Sequence, residues 1–367
     1  MTTSKKLANK PLSSAIHGAE TLSPKYYRDP TYFDRARDQI FARSWQFALD
    51  TDQLPAMRQV TPWTFLDGFI NEPLIFTRDT EDAVHCLSNV CTHRGNLLIE
   101  KPCETDSLRC RYHGRRFGAD GCFLSAPGFE DAVDFPTERD NLPAAEQELW
   151  GNLIFVGIEP AWSFNELVED MTRRLQWLPF HAMKRVPALC KDYFVNANWA
   201  LYVDNYLEGL HIPYVHPGLA TVIDTKEYRY EVQKMSNLQI GLATREEDAF
   251  TLPCDSPEAG ELIAAYYYWL FPNMMFNFYP WGLSLNVVIP LALDRSCIRY
   301  ITYIYDESKL QSNSPDLIEK TEYEDESIVE QVQKGMQSRL YKQGRYSPKW
   351  EPNVLHFHKL LKSFLAE

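Results

Sequence analysis

Long apolar runs are missing from this chain. No stretch approaches 18 uninterrupted hydrophobic residues, which argues against a bilayer-spanning helix. Basic excess is missing too. Lys and Arg total 37 against 50 Asp and Glu, a formal charge of -13. That balance argues against a sequence-independent grip on nucleic acid or an anionic membrane, both of which need cationic surface. The N-terminal MTTSKKLANKPLSSAIHGAE carries lysines but no apolar core, so it does not read as a secretory signal, and the expected compartment is the reducing cytosol. Eight cysteines scattered over 367 residues do not form a disulfide scaffold. Neither a G-x-G-x-x-G fingerprint nor a flavin motif is visible, so direct use of NAD(P)H is not expected. Internal repeats and low-complexity tracts are also lacking.

What is present divides into two textures. Residues 1–25 are polar and read as a mobile leader. Asp29-Pro30 then supplies an N-cap and a first-turn proline for a helix carrying Tyr32, Phe33, Ala36, Ile40 and Phe41 at helical spacing. From Trp45 to Ile158, short segments such as WQFALD, PLIFTR and LWGNLIFVGI alternate with turn residues, the pattern of an antiparallel β domain. After Pro160, Ser163 and Glu166 make a capping box. Mixed signals follow: a helix over 198–211, strands at YYYWLFP, MMFNFYP, LSLNVVIPL and CIRYITYIYD, and a helix from a Ser314 N-cap and Pro315 to Gly344. The expected class is α+β. Residues 1–43 form an arm and helix packing with the last domain, 44–158 a β domain, and 159–367 an α+β domain of antiparallel sheet and helices.

Two constellations carry chemistry. In CTHRGNLLIEKPCETDSLRCRYHG, Cys91 and His93 precede Cys110 and His113. A buried cysteine pair with unrelated histidines is one reading, and a structural Cys₂His₂ zinc site is another. The ligand order weighs against zinc. Zinc fingers take two cysteines from one turn and two histidines from another, whereas here each loop brings one of each. A [2Fe–2S] centre with Cys₂ on one iron and His₂ on the other needs such mixed loops. Cys86, Cys103 and Cys122 nearby read as ordinary small core residues.

The second constellation is NWALYVDNYLEGLHIPYVHP, residues 198–217. On a continuous helix Asp204, Glu208 and His211 share one face, and Pro213 ends the helix so that His216 returns towards it. The competing reading is a solvated helix with incidental histidines. In the later helix, Leu317, Ile318, Ile328, Val329, Val332 and Met336 gather on one side with Asp325 among them, Glu324 and Glu326 lying at the edge or beyond. A buried carboxylate needs a partner, either a basic side chain or a metal ion. Two histidines and one carboxylate with open positions form the facial triad of non-haem Fe(II) oxygenases.

The first constellation resembles the Rieske iron–sulfur motif, and CTHRG with CRYHGRRF resembles its version in Rieske non-haem iron oxygenases. NWALYVDNYLEGLHIPYVH is similar to the signature of the catalytic domain in their α subunits. The resemblance implies a Rieske [2Fe-2S] domain, with Cys91, His93, Cys110 and His113 as cluster ligands, and a helix-grip-like catalytic domain. It implies His211, His216 and Asp325 as ligands of a mononuclear Fe(II), Asp325 being favoured over Glu324. It places Asp204 and Glu208 among the catalytic acids, with Glu208 as the bridging carboxylate. It further implies a head-to-tail homotrimer in which His113 bonds Glu208 of a neighbour, O2 as co-substrate, and a separate ferredoxin or flavin reductase through which NAD(P)H acts. A glutamate at the bridge is similar to the choline, glycine betaine and carnitine branch, so monooxygenation or N-demethylation of a quaternary ammonium or related amine is expected. An aromatic-ring dioxygenase and a pure electron-transfer protein are the alternatives. In AYYYWLFPNMMFNFYPWG, residues 265–282, an ammonium-binding aromatic box competes with ordinary core packing at most positions. His356 and His358, two apart on a helix, read as structural.

Overall fold

The computed structural model describes residues 16–365 apart from 55, 222 and 311–314. The Ser314 cap and most of the leader fall outside these residues, as do the side chains of Leu317 and Ile318. The chain forms two compact units, Ile40–Phe164 and the remainder, Met1–Gln39 with Asn165–Glu367.

The first unit is built from short antiparallel strands: β1 (Trp45–Asp50), β2 (Gln59–Phe65), β3 (Glu72–Arg78), β4 (Val84–Ser88), β5 (Cys103–Glu104), β6 (Leu108–Arg109), β7 (Arg116–Phe117), β8 (Phe123–Ser125), β9 (Glu146–Trp150) and β10 (Leu153–Gly157). They pair as β1-β10-β9, β4-β3-β2-β5 and β6-β7-β8. Alternating apolar positions of these strands meet in a core of Val60, Ile75, Leu87, Leu98, Leu108, Phe117 and Leu142, and Cys91 and Cys110 belong to the same cluster. Burying each large apolar side chain there contributes about 1.5–3 kcal/mol. Cys86 packs inside as expected, but Cys103 and Cys122 are exposed. Cys103 lies on the two-residue edge strand β5, where both positions face solvent.

In the second unit the helices are α1 (Lys25–Arg28), α2 (Pro30–Gln39), α3 (Phe164–Leu175), α4 (Trp199–Tyr206), α5 (Ile212–Val215), α6 (Pro315–Gly335) and α7 (Pro352–Leu365). The strands are β11 (Lys184–Arg185), β12 (Lys191–Val195), β13 (Ile223–Val232), β14 (Ser236–Ala243), β15 (Ile263–Leu270), β16 (Met274–Tyr279), β17 (Gly282–Ala292) and β18 (Arg295–Ile304). Their order is β11-β18-β17-β16-β15-β14-β13, with β12 also on β18, and every pairing is antiparallel. All eight residues of β15 are buried. Strands covered on both faces tolerate such continuous apolar runs.

Asp29 caps α2 as expected, accepting from the Thr31 N–H at 2.9 Å. α6 ends at Gly335, not Gly344, and the separate α7 follows. The inward side of α6 also differs from the expected apolar stripe. Glu322, Val329 and Gln333 are buried, whereas Val332 is exposed. The buried positions follow the helical period, but two of the three are polar, so hydrophobicity alone misplaced the face.

Candidate metal centres

Cys91 and Cys110 occupy two equivalent hairpin tips. Val90 bridges Leu97 around the first, and Arg109 pairs with Arg116 around the second, so each tip holds six residues. In both, the cysteine N–H donates to the carbonyl five residues on: Cys91 to Asn96 at 2.9 Å, Cys110 to Arg115 at 2.8 Å. The glycine four residues on donates back to the cysteine carbonyl at 3.0 Å in each tip. Gly95 and Gly114 hold φ of 72° and 75°, left-handed values that glycine adopts without a Cβ penalty. This shared ring explains the motif. Counted from the cysteine the histidines differ by one residue, yet both directly precede or nearly precede the turn glycine and converge, their ring centroids 4.7 Å apart.

The donor set fits an iron–sulfur cluster. His113 Nδ1 is buried with no hydrogen-bond partner, which is costly unless the nitrogen ligates. Burial would raise the Cys110 thiol, but the N–H groups of Tyr112 and His113 outweigh it and hold the group below the usual thiol range. At Cys91 burial prevails over the His93 N–H, and the thiol is pushed up. Arg115 braces the tips from behind. It is buried, bonds Thr92 Oγ1 at 2.9 Å and Asp140 Oδ1 at 3.2 Å, and lies against Phe123, Phe129 and Phe135.

The second centre forms where α4 stops. Asn198 caps α4 by accepting from the Ala200 N–H at 3.0 Å. The expected continuation to residue 211 does not occur, because the helix ends at Tyr206. Glu208 then accepts the N–H groups of Leu210 and His211, turning the backbone, and Pro213 sits within the first turn of α5 and does not terminate a helix. Asp204, Glu208 and His211 therefore do not share a helical face. Asp204 turns to the chain ends, accepting from Tyr27 Oη and bonding His358 Nε2, each at 2.7 Å.

His211, His216 and Asp325 converge, with one donor atom from each within 4.8 Å of the others. Asp325 Oδ1 lies 2.9 Å from His216 Nε2 and 3.6 Å from His211 Nε2. The outward nitrogens are also held, His211 Nδ1 at 2.7 Å from Glu208 Oε1 and His216 Nδ1 at 2.9 Å from Glu324 Oε2. Asn205 Nδ2 donates to Asp325 Oδ1 at 2.6 Å. Burial would lower the His216 pKa, but Asp325 and Glu324 overcome it and raise it. Two imidazoles and a carboxylate at this spacing suit a divalent iron with open positions. Bracing of each histidine by a carboxylate is the usual support of such ligands.

Residues 164–367 match the family model of the ring hydroxylating alpha subunit (catalytic domain), and residues 44–136 match the Rieske [2Fe-2S] domain. The chain belongs to this oxygenase family. Its cofactors are accordingly a Rieske [2Fe-2S] cluster and a mononuclear iron, with O2 as co-substrate. The oxygenase is 27% identical to the chloroplastic choline monooxygenase of Arabidopsis thaliana over 94% of this chain and 83% of that one. It is 28% identical to the carnitine monooxygenase oxygenase subunit of Escherichia coli K12, over 94% and 93%. Among solved structures it resembles the quaternary ammonium Rieske monooxygenase CntA, with TM-score 0.77 and 24% identity over 97% of this chain and 99% of that one. A naphthalene 1,2-dioxygenase from Rhodococcus shares the fold, with TM-score 0.72 and 17% identity over 97% and 98%. No helix among the described residues is long and apolar enough to cross a membrane.

The triad of the oxygenase opens onto a cavity of about 120 Å³. Six tyrosines line it: Tyr202, Tyr206, Tyr228, Tyr267, Tyr279 and Tyr300. Of the aromatics in the 265–282 tract, only Tyr267 and Tyr279 reach this wall, and the others pack elsewhere. Strand alternation explains the split: Tyr266 donates to Glu258 and Tyr268 to Asp170, away from the cavity. Tyr267 stacks on Tyr228 with centroids 6.4 Å apart and meets Tyr279 edge-on at 5.8 Å. Sequence reasoning missed Asn205, the bracing role of Glu324, and Glu322. Asn205 was readable as the residue directly after Asp204, but no periodicity marks a side chain that acts on a distant helix.

Proposed function

We propose that this oxygenase is the terminal component of a monooxygenase acting on a small quaternary ammonium compound or related amine, opening the route to N-demethylation. The observation that carries the reading is the His211–His216–Asp325 triad facing a tyrosine-walled cavity that also holds the acid Glu208. Electron-rich ring faces attract a desolvated cation by about 0.5–2 kcal/mol each, and nearby carboxylates add to that field. Choline and carnitine monooxygenases among the relatives support the same substrate class.

In this reading Cys91, His93, Cys110 and His113 hold the cluster, and His211, His216 and Asp325 hold the iron. When bound, the cluster passes single electrons, and the iron activates O2. The chain's own residues do the rest. Glu208 and Glu324 accept hydrogen bonds from the Nδ1–H groups of His211 and His216, fixing the tautomer that turns Nε2 towards the iron. Asn205 keeps Asp325 from rotating away. The tyrosines seat the substrate and exclude water. A separate ferredoxin or flavin reductase supplies electrons from NAD(P)H. A cytoplasmic homotrimer, with His113 of one subunit bonded to Glu208 of the next, completes the proposal. Inter-subunit electron transfer described for CntA supports that arrangement.

The test is O2 uptake with a surrogate reductase across a panel of ammonium compounds and small aromatics. Substrate-dependent uptake with a hydroxylated or dealkylated amine as product is expected. Diol formation from the aromatics, with the ammonium compounds inert, would replace this reading with ring dihydroxylation.

A further inference from the structure

Glu322 is a buried acid that no step above uses. It sits on α6 one turn before Asp325 and is 1% exposed. Two phenols of the cavity wall reach it. Tyr202 Oη donates to Glu322 Oε2 at 2.5 Å, Tyr300 Oη donates to the same oxygen, and the two hydroxyls lie 3.2 Å apart. The second carboxyl oxygen, Oε1, is buried without a partner. Three elements thus bring one carboxyl and two hydroxyls together behind the substrate cavity: α4 with Tyr202, β18 with Tyr300 and α6 with Glu322.

We infer that Glu322, Tyr202 and Tyr300 form a proton store and relay that feeds the cavity during oxygenation. The inference rests on the monooxygenase reading. Converting a C–H bond to C–OH with O2 consumes two electrons and two protons, and the second oxygen atom leaves as water. The reductase supplies the electrons. Glu322 supplies one proton and water reaching the cavity supplies the other: the Glu322 O–H passes hydrogen to a phenol oxygen as that phenol's O–H gives its own hydrogen to oxygen in the cavity. Hydroxyl hydrogens rotate, so the same contacts run in either direction, and no phenolate needs to form. The store refills along the same hydroxyls when the cavity opens to water.

The charges around Glu322 favour a held proton. Tyr202, Tyr300 and Tyr193 face it from α4, β18 and β12, and Asp325 and Glu326 lie on its own helix. None of these is a cation. Burial first, then Asp325, push the carboxyl up to about 8, although the two phenols pull the other way. All three phenols are themselves pushed up, mainly by burial, so they remain neutral carriers.

The test uses the iron-loaded holoenzyme with two readouts. The first is the infrared carboxylic-acid band, assigned by labelled glutamate. It is expected at neutral pH, should fade as pH rises into the alkaline range, and should be missing in Glu322→Gln. This arm is independent of the substrate, so failure of the ammonium reading and failure of the relay are distinguishable. The second is single-turnover product formation against pH. The wild-type rate should fall as pH rises, whereas Glu322→Gln should be roughly 100-fold slower and lack that limb, the usual scale for a lost general acid. Should Glu322→Gln lose iron, the double variant Tyr202→Phe/Tyr300→Phe decides. Loss of rate at saturating substrate together with loss of the high-pH limb, with the band and iron retained, supports the relay. A wild-type rate and pH profile in either iron-loaded variant, or no acid band in the wild type, overturns it.

Discussion

His216 Nδ1 lies 2.9 Å from Glu324 Oε2, so the acid that directly precedes Asp325 holds the back of an imidazole whose front faces Asp325. Neighbouring residues on α6 point about 100° apart, which is how one helix turn reaches both nitrogens of a single ring. Glu324→Gln should weaken divalent-metal binding about 10- to 100-fold, the usual cost of removing such a brace. A titration of the iron-depleted protein with Fe(II) or Co(II) measures it. Unchanged affinity would show that the contact does not orient the ring.

Asp325→Ala should abolish the mononuclear site and turnover while leaving the visible spectrum of the cluster intact. Cluster and triad are built from separate stretches of chain, and Asp325 is the carboxylate within reach of both triad histidines. Iron and acid-labile sulfide analysis checks this directly. Normal turnover would remove Asp325 from the ligand set.

Glu208→Gln should retain both metal centres, because the amide oxygen can still accept from His211 Nδ1. It should nonetheless sever electron flow from cluster to iron if Glu208 is the bridge. Single-turnover reoxidation of the reduced cluster in the presence of O2 and substrate reads this. Unimpaired reoxidation contradicts the bridge.

Tyr267→Leu should raise KM for an ammonium substrate about 2- to 30-fold, the equivalent of one ring's cation attraction of about 0.5–2 kcal/mol, with a smaller effect on kcat. Tyr266→Leu should leave KM alone and lower the melting temperature, since that ring packs on Phe250 and its hydroxyl donates to buried Glu258. Equal KM effects from the two would contradict the placement of the cavity on one face of β15.

Glu322 should also shape stability. Its folded pKa, about 8, lies above an unfolded value near 4.5, so the folded state binds the proton more tightly. The contribution is fully present below the unfolded value and is lost as pH rises through the folded one. Thermal melts of the metal-free protein should show that loss between about pH 4.5 and 8, and Glu322→Gln should flatten it.

Much of the site was legible because its signals are local. The cysteine and histidine spacings and the strand alternation each act within a few residues, and β15–β18 lie where the apolar segments placed them. The stop of α4 at Tyr206 was not legible. Glu208, a good helix former, instead uses its carboxylate to accept backbone N–H groups, and the imidazole of His211, three residues on, holds it there. Asp204 misled for a different reason. Its partners Tyr27 and His358 lie 177 and 154 residues away, beyond any periodicity. The acidic inward side of α6 defeated a hydrophobic reading because phenols, an amide and imidazoles, not apolar groups, receive it.

The alternation along β15 has an evolutionary consequence. Tyr267 can be exchanged for another shape while its neighbours on either side keep the scaffold upright. A lineage could thus drift from one amine to another by point changes on a single row of alternate residues, without rebuilding the foundations beneath.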